Sequence, residues 1–113
     1  MAALFSKIRD LILHNNKEEV FPSKVDEAVD TILPDLSEYD RHRIANMNQD
    51  RLRVFHQNFV FYIMNKLRLW TNEPLKQSCC ELNGVSKVST DQASYIILKE
   101  LQNRIKQASE VKD

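Results

Sequence analysis

Three histidines, two adjacent cysteines and four closely spaced arginines are the side chains in this sequence whose types could support chemistry. His14, His42 and His56 are far apart in the chain, and none stands in the His-x-x-x-His or Cys-x-x-Cys spacing that holds a metal. Cys79 and Cys80 are neighbours, and adjacent cysteines form a strained disulfide at best while offering only two zinc ligands. Two buried or half-buried free thiols are therefore expected, a vicinal redox pair needing thiolate-stabilising surroundings that the sequence does not display. There is no glycine-rich phosphate loop and no Gly-x-Ser-x-Gly nucleophile turn. The inventory argues against an enzyme, and neither a cofactor nor a metal is expected.

His56 is the most informative of these residues, because it adjoins an apolar stripe. Leu52, Phe55, Phe59, Ile63, Leu67 and Trp70 recur at steps of three or four, which predicts one long helix from Gln49 to Trp70. At 1.5 Å per residue such a helix is roughly 33 Å long, about the span of a small domain. A histidine beside such a stripe is usually a core residue whose ring nitrogen finds a backbone carbonyl or a capping side chain. The alternative is a polar pocket that His56 shares with Asn65, Asn72, Asp91 and Ser94. Trp70 is read first as a core residue packing against the last helix, and second as an aromatic anchor for a partner.

The charged residues total 16 basic and 16 acidic, so no global field draws the chain to nucleic acid or to an anionic membrane. Their layout is uneven. Residues 1–40 hold four basic and nine acidic side chains, whereas residues 41–76 hold seven basic and two acidic. Solvated faces that also pair between helices explain this simply. A functional reading makes Arg41, Arg43, Arg51 and Arg53 a contact patch for an acidic protein partner. The same segment, with a three-residue break between two helical stretches, has roughly the spacing of a helix-turn-helix, which keeps nucleic acid open as the alternative partner. Against that alternative, the break lacks glycine and the second helix is long and apolar along its whole length.

The elements that must carry these residues are all helical. One glycine and three prolines leave little material for hairpins, and a chain of 113 residues can bury a single core without staples. An amphipathic helix is expected over Ala2–His14, with residues 1–16 peripheral or separable. A second runs from Lys24 to Leu33, capped by Ser23 and stopped by Pro34, and a third, short one covers Glu38–Ala45 behind Ser37. Asn48 caps the central helix. Asn72 opens a short helix over Pro74–Leu82 that ends at Asn83-Gly84. A polar loop with two valines then leads to a last helix, about Asp91 to Ala108, for which Ser89, Thr90 and Asp91 compete as caps. The expectation is an all-α, single-domain bundle of about six helices, three substantial and three short, around the helix 49–70. No apolar run approaches the roughly 20 residues needed to cross a bilayer, so no membrane association and a cytoplasmic location are expected.

The succession Pro22-Ser23, Glu27-Ala28-Val29, Leu52 with His56, Ile63, Leu69-Trp70 and Leu75, then Asp91 with Ser94 and Ile97, resembles a family of small bacterial domains of unknown function. The resemblance covers about residues 21 to 106. Its distinctive elements are a histidine in the long helix, a Leu-Trp pair at that helix's end followed by an asparagine, and an acidic-x-x-Ser opening of the last helix. In this chain these are His56, Leu69, Trp70, Asn72, Asp91 and Ser94. Val60 and Met64 stand where the family favours glycine and arginine, so any ligand contact of that arginine is missing here. The resemblance implies a compact helical fold and no activity. A non-catalytic protein-protein interaction module, such as a regulator, inhibitor or immunity-type protein, is the leading functional expectation; nucleic-acid binding through residues 41–53 comes second, and a small-molecule or enzymatic site around His56 third.

Overall fold

The computed structural model describes the chain from Phe21 to Lys112, so the helix expected over Ala2–His14 lies outside the described residues. Five helices follow one another: α1 (Val25–Ile32), α2 (Glu38–Ala45), α3 (Gln49–Leu67), α4 (Glu73–Asn83) and α5 (Thr90–Lys112), with one 3-10 turn at Leu33–Asp35. No strand occurs among the described residues. The all-α class and the order of elements agree with the sequence reading.

Most starts are set by side-chain caps that satisfy the orphan N–H groups of a first helical turn. Ser37 accepts from Asp40 N at 3.0 Å, Asn48 from Arg51 N at 2.8 Å, and Asn72 from Leu75 N at 3.2 Å. For α5 the competition is won by Ser89. Its hydroxyl accepts from Gln92 N at 3.0 Å, and Gln92 Oε1 accepts from Ser89 N at 2.8 Å, a reciprocal capping box. The start of α1 departs from expectation. Ser23 does not cap it; instead Val25 N donates to Ser78 Oγ of α4 at 3.0 Å, a cap supplied from another helix.

The end of α3 is a second correction. The helix stops at Leu67 rather than Trp70, because Arg68 enters the left-handed region at φ 52°. Leu69 N donates to Met64 O at 2.9 Å and Arg68 N to Asn65 O at 3.4 Å, which is the Schellman ending. This turn changes which side chain points inward. Leu69 is fully buried, whereas Trp70 is 49% exposed and does not form part of the core.

The hub of the molecule is α5, not α3. It packs against α1, α2, α3 and α4, while α3 packs chiefly against α5 and to a lesser degree α1. Ala93, Ser94, Ile96, Ile97, Leu98, Leu101, Gln102 and Ile105 are buried on it, an arc wider than the roughly 100° stripe of a helix that packs on one side only. The buried set on α3 is narrower and is rotated from the expected stripe: Leu52, His56, Val60, Ile63, Met64 and Leu67. Phe55 and Phe59 lie only half-buried at its edge. His56 thus sits in the middle of the buried stripe, facing the helix that organises the fold.

Candidate functional site

Where α3 meets the first turns of α5, the His56 ring is only 7% exposed and its Nε2 lies 2.9 Å from Ser94 Oγ. A serine hydroxyl can donate or accept, so it suits either tautomer of the ring. The Tyr95 ring meets His56 edge-on, with centroids 5.3 Å apart and planes at 78°. Burial holds the His56 pKa below its ordinary value, with Asp91 pulling weakly the other way. The imidazole is therefore neutral at neutral pH.

Above this pair opens a cleft of ≈ 480 Å³. Val85, Val88, Ile96 and the Tyr95 ring form its apolar wall, and Arg53, Gln57, Lys87 and Asp91 bring polar groups to it. The Tyr95 hydroxyl is buried and has no hydrogen-bond partner among the described residues. Of the pocket expected from the sequence, His56 and Asp91 line this cleft, and the fully buried Ser94 is linked to it through its bond to His56. Asn65 and Asn72 do not line it. Asn65 is exposed on the outer side of α3. Asn72 is engaged elsewhere, its Nδ2 donating to Pro22 O at 2.9 Å and Leu67 O at 3.1 Å while its Oδ1 caps α4. Tyr95 was missed by the sequence reading, as were the two valines, although a pair of valines in an otherwise polar loop was the available signal.

The four arginines do not share one face. Positions two apart on a helix are roughly 200° apart around its axis and do not face each other. Arg41 reaches back to Leu33 O at 2.8 Å, the carbonyl at the end of α1 where the 3-10 turn begins. Arg43 lies 5.7 Å from the exposed Tyr39 ring. Arg53 lines the cleft, 3.9 Å from Asp50, whereas Arg51 is exposed on the opposite flank of α3. Part of the charge asymmetry is internal pairing: Arg104 holds Asp30 at 2.7 Å and Asp26 at 3.4 Å, and Lys66 holds Asp35 at 3.1 Å.

The solvent side of α3 carries a second candidate surface. Val54 and Phe61 are 59% and 67% exposed, and with Asn58 and Asn65 they form one file at helical spacing. Beside that file runs a ladder of half-buried rings, Phe55 on Phe59 at 4.9 Å and Phe59 on Tyr62 at 4.8 Å. Tyr62 also donates to Asp35. Among the described residues no group of three His, Cys, Asp or Glu side chains is placed to hold an ion. Both cysteines are buried free thiols, and burial pushes the Cys79 thiol up to about 11. No helix among the described residues is long and apolar enough to cross a membrane.

The model of a family described as a domain of unknown function, DUF6794, matches residues 21–105. The chain belongs to the DUF6794 family. The matched segment of this DUF6794 domain takes in His56, Ser94 and the cleft above them, as well as the outer face of α3, and it agrees with the extent of the resemblance seen in the sequence. No curated protein and no solved structure matches the chain.

Proposed function

We propose that this DUF6794 domain is a non-catalytic interaction module of the bacterial cytoplasm that docks a protein partner on the outer face of α3. The observation that carries this reading is the exposed file of Val54 and Phe61 beside the Phe55–Phe59–Tyr62 ladder. Single exposed apolar residues are ordinary on a protein surface; two exposed ones flanking a ladder of half-buried rings on one helix are the kind of concentration that suits an interaction site. From Arg51 through Lys66 this helix has no acidic side chain, and Lys66 is already paired with Asp35. With Arg53 turned to the cleft, the charge left to a partner on the outer face is that of Arg51. An apolar segment with an acidic flank is the complement, with the rings providing the anchor and Arg51 the register.

The test is a photo-crosslinking side chain placed at position 61 and, as the control, at the exposed Asn103 of α5. Adducts with an acidic partner are expected from position 61 alone. That partner, once purified, should bind the wild-type chain and lose at least about tenfold in affinity with Phe61→Asp at an unchanged melting temperature. Equal adducts from both positions, or undiminished affinity of the variant, would overturn the reading.

A further inference from the structure

The cleft over the His56–Ser94 pair lies on the other flank of α3 from the docking face and is built like a ligand site. Its ≈ 480 Å³ falls within the roughly 300–1,000 Å³ of small-molecule pockets, which are mostly apolar with a few convergent polar groups. The apolar wall of Val85, Val88, Ile96 and the Tyr95 ring meets that description. The unpartnered Tyr95 hydroxyl adds a second, independent pointer. Tyr95 as a whole is only half-buried, so a turn of its ring brings the hydroxyl, covered as it stands, to the cleft, where an acceptor delivered by a ligand gives it a hydrogen bond.

Charge narrows the ligand class. Arg53 and Lys87 are the cations of the cleft and Asp91 is its one carboxylate, an excess of one positive charge with His56 neutral. Arg53 is free to turn inward, because its 3.9 Å contact with Asp50 joins two side chains that are 60% and 93% exposed. Such pairs contribute little. A dianion such as phosphate is a poor match. The backbone N–H of Gln92, one of the groups that would cradle it at the start of α5, is already taken by Ser89 Oγ, and Asp91 faces the same space.

We propose that this cleft binds a small monocarboxylate with an apolar body, the carboxylate accepting from Tyr95 and Arg53 while the body lies on Val85, Val88 and Ile96. Lys87 at the rim adds attraction at long range, and the His56 ring, hydrogen-bonded to Ser94, presents no charge to the apolar part. The site needs no catalytic step and is independent of the surface on the outer side of α3.

The experiment is a titration of the full chain, followed by amide chemical shifts and calorimetry, with hexanoate and benzoate, their primary amides and inorganic phosphate. Binding of at least one carboxylate is expected, with shifts centred on Arg53, His56 and the stretch from Val85 to Ile96, and with its amide at least about tenfold weaker. Tyr95→Phe keeps the ring and removes only the hydroxyl; a loss of about tenfold or more with an unchanged melting temperature is expected. Arg53→Gln, at an exposed position, should weaken the carboxylate and leave the amide unchanged, which keeps the test intact if Tyr95→Phe fails to fold. Absence of binding at millimolar carboxylate, equal affinity for acid and amide, preference for phosphate, or undiminished binding by the Arg53→Gln or folded Tyr95→Phe chains would each overturn the proposal.

Discussion

His56 and Ser94 lie 38 positions apart in sequence and 2.9 Å apart in space, joined by a buried hydrogen bond that ties α3 to α5. Removing one partner of such a bond leaves the other desolvated and unpaired, which costs about 1–3 kcal/mol. Ser94→Ala changes the volume by a single oxygen, so its cost is read almost purely as the lost bond. A fall of that size in the unfolding free energy from urea titration is expected. A change below about 0.5 kcal/mol would mean that the ring finds another partner without strain.

The same histidine makes stability depend on pH in a stated direction. Burial depresses the His56 pKa in the folded chain below the ordinary value of about 6.5 that it regains on unfolding. The unfolded state therefore binds the proton more readily. Stability from this group is complete above about pH 6.5 and falls as pH drops through that value toward the folded pKa, with a slope of at most about 1.4 kcal/mol per pH unit. The measurement is the difference in urea midpoint between about pH 7.5 and about pH 5.5, in the wild type and in His56→Gln. The variant should show the smaller difference, whatever its absolute stability.

Local chemistry was largely legible in the sequence, and long-range partnership was not. Ser37, Asn48, Ser89 and Asn72 were readable as candidate caps because a cap bonds to a backbone N–H two or three residues on, within the window a reader inspects. The helix end at Arg68 was hidden, since a non-glycine residue in the left-handed region gives no compositional sign. That hidden turn leaves Trp70, expected first as core and second as a partner anchor, half exposed outside the core. Gln102 shows the other limit. Glutamine is mostly an exposed residue, yet this one is buried and its Nε2 donates to Ile44 O at 2.9 Å and Met47 O at 2.8 Å, closing the carbonyl end of α2 from across the fold. Around the cleft, His56, Asp91 and Ser94 are candidates that the sequence already offers and the fold places near one another, whereas Tyr95 and the loop valines need the packing of α5 to be known.

Asn72 is expected to be among the costliest polar residues to replace. Its side chain caps α4 and donates to two carbonyls, Pro22 O and Leu67 O, that belong to two other segments. Loss of an N-cap costs about 1 kcal/mol, and two part-buried carbonyls stripped of their donor add to it. Asn72→Ala should therefore lose about 2–3 kcal/mol in chemical denaturation, more than a cap alone. Asn72→Asp separates the contributions, because it keeps the accepting oxygen and removes the donor. If the donations to Pro22 and Leu67 carry stability, aspartate recovers no more than the cap; full recovery would assign the residue to capping alone.

Gly84 ends α4 in the left-handed region at φ 67°, with Val85 N donating to Cys80 O at 3.0 Å, the same kind of ending that Arg68 gives α3. A Cβ at Gly84 would meet nothing within 4 Å, so replacement there carries no steric cost from neighbours. What remains is the conformational penalty of an L residue at positive φ, about 1–2 kcal/mol. Gly84→Ala is expected to destabilise by about 1 kcal/mol, the lower end, because alanine also narrows the unfolded ensemble and offsets part of the penalty. Gly84→Asn should cost less than Gly84→Ala, since asparagine tolerates this region better than other side chains do. Equal losses for the two would show that crowding rather than backbone conformation sets the cost. The position also begins the loop that carries Val85 and Val88 to the cleft, so the asparagine variant should retain carboxylate binding in proportion to the helix ending it preserves.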